Sequence, residues 1–342
     1  MNSEIQALRA IAIVFVLFIH SVIIFPPEYL YIYKYIISVF RTDAGVELFF
    51  VIAGYFLAQS CVKFDLLEKV NDRVKSAATL IVKKIKRLSP VAYLWALIPL
   101  TISIISGDHS WLASDVMIKK FFASIVWLRN FEESNKQTIF GYYWAISLEM
   151  QVFVVYPILY AFLGKKRTLG FSVLACIAMA FFRYDFGMGW MFRFDSILWG
   201  VLTYHLINEY IDINYLRDLI KPYKKHKSII ALLLILSLPA SMSFVGHIPS
   251  LRFTIAALIS VVILCLSLTQ LNFFSFKFPP FNKIIQFVGD RSYSVFCCHI
   301  PSWMIVSLLF DKFGASHGYL FITQILFMVI CADLTHRFVE KR

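Results

Sequence analysis

"LRAIAIVFVLFIHSV", Leu8 to Val22, decides the fold of this 342-residue chain. Extended to Ile5 and Phe25, the run reaches the roughly 20 apolar residues that a helix needs to cross a bilayer. Arg9 and His20 interrupt it. Charged or titratable groups inside a span are expensive and face a polar cavity or a partner. Apolar stretches recur from there to Val339: 59% of the residues are hydrophobic and 16% charged, with a mean hydropathy of +0.72. Soluble domains run near 45–50% apolar and about 25% charged. Composition therefore predicts an all-α fold, a polytopic membrane bundle making one transmembrane domain over residues 1–342, and leaves no room for a large soluble domain.

Ten spans are expected, at 5–25, 44–62, 89–106, 146–163, 169–183, 188–207, 229–246, 251–271, 292–310 and 319–339. A shorter segment, 117–131, carries Lys119, Lys120 and Arg129 and is expected on the membrane surface or as a re-entrant piece. Of the 33 Lys and Arg residues, 22 fall in one alternating set of loops and 8 in the other. The positive-inside rule then puts both termini in the cytosol. The net charge of +12 is read as this loop bias; no nucleic-acid-binding motif is present. Cys61, Cys176, Cys265, Cys297, Cys298 and Cys331 lie in or beside apolar stretches without a CxxC pair, so they are expected as core residues, not disulfides or metal ligands. The N-terminus lacks a small-x-small cleavage site and is expected to be a retained first helix.

Eleven residues along a helix turn through about 1100°, within roughly 20° of three full turns, and rise about 16 Å. Arg9 and His20 therefore share one face at different depths. The other polar residues in spans sort into two expected layers. Arg9 and "KKIKRLSP" (Lys83–Pro90), with Lys84 and Arg87, lie on the cytosolic side. His20, Glu47, Glu149, Arg193 and Asp195 lie further out, and His299 near mid-membrane. A polar passage through the bundle is expected, with an anion-friendly mouth and an acid/base cluster beyond it. Each feature also has a plainer reading. The basic run anchors the helix, Arg9 snorkels, Arg193 and Asp195 neutralise each other, and Tyr293 and Ser294 satisfy helix-terminal groups. Glu149 resists that reading, since a carboxylate within an apolar helix must pair or protonate.

In this order, "LRAIAIVFVLFIH", "GVELFFVIAGYFL", "KIKRLSPVAYL", "WAISLEMQVFVVYPIL" (which includes Ser147), "GDRSYSVFCCHIP" and "HRFVEKR" resemble the family-3 membrane acyltransferases. Lys84 stands where that family usually has the first arginine of an Arg-x-x-Arg pair, and Ala145 where it has a serine. With nothing after Arg342, the chain resembles the stand-alone form, without a periplasmic hydrolase-like domain. The resemblance implies O-acylation, usually acetylation, of a hydroxyl on a cell-envelope carbohydrate such as O-antigen, capsule or exopolysaccharide, or on its lipid-linked precursor. It implies cytosolic acetyl-CoA as co-substrate, with no tightly bound cofactor and no metal. The setting would be a bacterial cytoplasmic (inner) membrane, with lipids as surroundings and a homo-oligomer left open. Arg9, Lys84 and Arg87 would hold the CoA phosphates. His20 would be the base, or would itself be acylated and relay the group. Glu149 would orient His20, and Arg193 would stabilise the tetrahedral oxygen. Glu47, Asp195, Ser147, Tyr293, Ser294 and His299 are expected as acceptor-binding or supporting polar groups.

The competing class is a secondary transporter of a small anion or lipid-linked sugar, which also needs a polar column. It predicts internal symmetry or matching broken helices, and the sequence has neither. A structural scaffold leaves His20, Glu47 and Glu149 without a role.

Overall fold

The computed structural model describes residues 3–106, 114–131, 140–183, 190–245, 248–275, 278–313 and 319–341. Its helices are α1 (Ser3–His20), α2 (Leu30–Val39), α3 (Gly45–Cys61), α4 (Val70–Ser106), α5 (Ser114–Ile125), α6 (Tyr143–Phe182), α7 (Phe194–His205), α8 (Ile213–Ile220), α9 (Lys227–Phe244), α10 (Pro249–Leu268), α11 (Pro279–Asp290), α12 (Ser292–Phe313) and α13 (Leu320–Thr335). Among the described residues there is no strand. In hydrocarbon a backbone must satisfy its own hydrogen bonds, and helices do so within one segment.

Among the described residues, eight helical stretches are long and apolar enough to cross a membrane, where ten spans were expected. Two differences account for this. The expected spans 146–163 and 169–183 are both helical and are separated at Gly164, whose φ of 75° and ψ of 169° are not helical, although the 40 residues Tyr143–Phe182 form one continuous stretch in that count. Only glycine takes that conformation without steric penalty. The expected span 188–207 appears as α7, of 12 residues, followed by a π-turn at Leu206–Tyr210. Residues 188–189 and 246 of the expected spans lie outside the described residues. Segment 117–131 is largely α5, which packs on α4; the Tyr93 hydroxyl donates to the Ile125 carbonyl at 2.9 Å, and Lys120 and Arg129 are buried.

The closest helix pairing, α3 on α7, runs through two glycines. A Cβ on Gly54 would strike the Ile197 carbonyl, and one on Gly200 the Val51 carbonyl. Small residues let helix backbones meet in a membrane, where burial of apolar side chains gives no extra attraction over lipid. Helix α1 is wrapped by α3, α10, α11 and α12, and Gly45 of α3 lies against the Ala12 carbonyl of α1. Its N-terminal turn is buried although polar. Glu4 accepts from the Asn272 amide at 2.7 Å and the Phe274 amide at 3.2 Å, and Gln6 donates to Asp290 at 2.5 Å. The first helix is thus tied by hydrogen bonds to the distant segment before α12.

Candidate active site

Two cavities lie along α1. The larger, about 420 Å³, falls within the usual size of small-molecule sites. Arg9, Lys83, Lys84, Arg87 and Glu149 line it among apolar side chains that include Phe50, Phe153 and Phe296. The smaller, about 170 Å³, is lined by His20, Arg41, Asp43, Val46, Trp144, Trp190 and Arg193, among others. Arg9 and His20 thus open onto cavities on the same side of α1, as three helical turns require. The two cavities adjoin at Val46, the one residue among those described that lines both.

At the cationic cavity, α4 brings Lys83, Lys84 and Arg87 to one wall and α1 brings Arg9 to another. The Arg9 Nε donates to the Ser292 hydroxyl at 3.1 Å. The Lys84 ammonium lies 3.7 Å from the Phe153 ring centroid and bonds Glu149 at 2.8 Å. This corrects the expected layering. Glu149 belongs with the cations, not with His20. The four-carbon stem of Lys84 reaches across to the carboxylate, and a carboxylate in a low-dielectric wall takes the cation within reach. Four cations then face one carboxylate, so the cavity keeps an excess of positive charge. Tyr293 lines the same cavity and donates to the Leu88 carbonyl at 2.8 Å, which ties α12 to the basic stretch.

The partner of His20 is His299. The two rings meet through His299 Nε2 and His20 Nδ1 at 3.1 Å, while His299 Nδ1 lies 2.8 Å from the Phe296 carbonyl. A carbonyl can only accept, so His299 Nδ1 carries the hydrogen. In the neutral ring its Nε2 then accepts, and His20 Nδ1 must donate. The chain of bonds fixes the His20 tautomer and leaves His20 Nε2 with a bare lone pair.

Proline chemistry holds this pair. Pro301 cannot donate to the carbonyl four residues back, so the Cys297 carbonyl lacks its helical partner. The Tyr142 hydroxyl supplies one at 2.6 Å. That bond brings the Tyr142 ring to 4.8 Å from His299, edge to face. Trp303 packs on the same imidazole at 5.4 Å.

The acidic residues of α3 and α7 pair across helices instead of within the RFDSILWG stretch. Arg193 bonds Glu47 at 2.8 Å, Arg183 pairs with Asp195, and all four side chains are fully buried. The expected Arg193–Asp195 neutralisation is not formed, because each carboxylate meets an arginine from another segment. The Arg193 guanidinium is packed against Trp144, Trp190 and Phe253. Its Nη2 is itself buried and has no hydrogen-bond partner among the described residues. His20 and Arg193 both line the smaller cavity, which therefore has an imidazole and a buried cation in its walls.

Ser147 and Ser294 lie away from both cavities. Ser147 accepts from the Arg129 amide at 3.3 Å. Ser294 donates to Glu340 at 2.6 Å, and Glu340 also meets His336 at 3.0 Å. Asp333 receives Arg291 at 2.7 Å and Arg337 at 2.9 Å. The terminal block thus clamps the start of α12, the helix that presents Tyr293 and His299.

Residues 2–335 match the family described as acyltransferase domain, acyltransferase 3. The chain belongs to that acyltransferase family. Among its curated relatives is O-acetyltransferase OatA of Staphylococcus aureus strain NCTC 8325, 22% identical over 327 residues, which cover 86% of this chain and 51% of the relative. OatA of strain COL matches with the same figures. The chain spans about half the length of the curated relatives it matches. No solved structure gives a significant match. Family membership and the apolar helices together make this acyltransferase-family chain a multi-pass membrane protein.

Four residues went unremarked in the sequence reading of this acyltransferase-family chain. Arg41 and Asp43 pair at 3.2 Å beside His20. Asp43 stands at the head of the GVELFF stretch, where it was open to notice. Arg183 and Ser292 carried no such signal, since their roles rest on contacts far apart in sequence.

Proposed function

We propose that the chain is an integral membrane O-acyltransferase. It moves an acetyl group from cytosolic acetyl-CoA to a hydroxyl of a cell-envelope carbohydrate or its lipid-linked precursor, in a bacterial cytoplasmic membrane with both termini cytosolic. One observation carries this reading. A cation-lined cavity and a cavity holding a tautomer-fixed histidine lie end to end along α1 and share Val46. The names of the relatives support the acetyl group and the oxygen acceptor.

In this reading Arg9, Lys84 and Arg87 hold the CoA phosphates by charge-assisted bonds, with Lys83 adding positive field. Phosphate competes with Glu149 for Lys84, so Glu149 keeps that lysine placed in the empty site. The apolar wall of Phe50, Phe153 and Phe296 covers the pantetheine arm. The acceptor hydroxyl binds beside His20, and its proton passes to His20 Nε2. The hydroxyl oxygen attacks the thioester carbonyl carbon, and the carbonyl electrons move onto oxygen, in the field of the Arg193 cation. As the C–O double bond re-forms, the C–S bond breaks and the thiolate takes the proton from His20 Nε2. General-base catalysis of this kind contributes about 10²–10⁴-fold.

The test uses radiolabelled acetyl-CoA and membranes carrying the wild type or His20→Ala. The expected result is label in envelope glycan and released CoA from the wild type, with both reduced at least about 100-fold in the variant. Equal labelling by the two would remove His20 from the chemistry. Uptake of an intact anion or sugar with no thioester cleavage would favour the transporter.

A further inference from the structure

The two cavities pose a question that acyl transfer leaves open. A thioester held at the cations must bring its carbonyl to His20, past the side chains that stand between the two cavities. Val46 stands in both cavity walls. One turn further along α3, Phe50 lines the cationic cavity. Its ring meets Trp144, which lines the histidine cavity, edge to face at 6.1 Å and 90°. Val46 and the Phe50–Trp144 contact therefore mark the junction of the two cavities.

The backbone at this junction is held from both sides. Gly45, just before Val46, sits against the Ala12 carbonyl and Phe15 Cβ of α1 with no room for a Cβ of its own. Glu47, just after it, is locked to Arg193 in a fully buried ion pair. Moving this turn of α3 outward would break a buried salt bridge or pull α3 from α1. The width there falls to the side chains. Valine in a helix is stiff at χ1, so Val46 is a fixed post, and the Trp144 ring beside it is held by Arg193 and Trp190.

We propose that Val46 is the specificity-determining residue of acyl transfer, setting the width of the throat so that an acetyl thioester passes and longer acyl chains do not. This rests on the acyl-transfer reading above and adds to it an apolar residue in the walls of both cavities. Discrimination per methylene at such a constriction is about 10–200-fold.

The experiment compares the full-length chain in membranes as wild type, Val46→Ala and Val46→Phe. Acyl transfer is followed with acetyl-, propionyl- and butyryl-CoA, each labelled in the acyl group, and binding of labelled CoA is measured at equilibrium. Val46→Ala should raise the butyryl-to-acetyl ratio of kcat/KM about tenfold or more. Val46→Phe should cut acetyl transfer about tenfold or more while CoA still binds as in the wild type, which separates a blocked throat from a misfolded bundle. An active wild type whose chain-length profile is unchanged in Val46→Ala overturns the gate alone. Loss of CoA binding in Val46→Phe also overturns it, by assigning Val46 to the donor site. A wild type that transfers none of the three groups overturns the acyl-transfer reading, and the gate with it.

Discussion

His299→Leu isolates what the histidine pair contributes. In the wild type, His299 Nε2 is the acceptor 3.1 Å from His20 Nδ1. Leucine keeps an apolar body between Tyr142 and Trp303 but removes the acceptor. A buried donor left without a partner costs about 1–3 kcal/mol. His20 can avoid that penalty by moving its hydrogen to Nε2, the nitrogen that must take the hydroxyl proton. Each 1.36 kcal/mol is tenfold in rate, so kcat should fall about 5- to 150-fold. The Val16 carbonyl, one turn back, also lies beside the His20 ring and offers an alternative acceptor, which places the loss towards the lower end. His299→Gln should recover much of it, because the glutamine carbonyl oxygen can accept where Nε2 did. The KM for acetyl-CoA should not move in either variant, since the cations line the other cavity. The assay is steady-state release of CoA from acetyl-CoA with membranes and acceptor glycan. Wild-type kcat in His299→Leu, or equal losses in the leucine and glutamine variants, would refute the tautomer argument.

Two further outcomes follow from the same geometry. Arg9→Ala should raise the KM for acetyl-CoA about tenfold or more, the worth of one hydrogen bond to a charged group, with kcat little changed; an unchanged KM would move phosphate binding off α1. Glu47→Leu leaves the buried Arg193 guanidinium uncompensated, and breaking a buried pair costs about 3–5 kcal/mol. Thermal unfolding in detergent should show a marked loss that Glu47→Leu combined with Arg193→Met partly restores, and equal stability of the single and double variants would count against the pair as a structural unit.

What the sequence settled by itself was local. Helices follow from apolar run length, so the all-α membrane class was legible in composition. Arg9 and His20 share a side of α1 because helical geometry allows nothing else over eleven residues. The basic stretch before Pro90 was likewise visible as a cationic wall. Three matters needed the tertiary structure. The shortness of α7 was one, since a π-turn leaves no trace in hydropathy. The pairings of buried charge depended on which helices are neighbours: Glu149 took Lys84 and not His20, and Glu47 rather than Asp195 took Arg193, because a buried charge bonds the nearest opposite group in space. His20 found its partner 279 residues away, through a carbonyl freed by Pro301 and a tyrosine that caps α6. The place of Val46 between the two cavities came last of all, since where cavities adjoin depends on side-chain packing among several helices, which no periodicity along a single helix encodes.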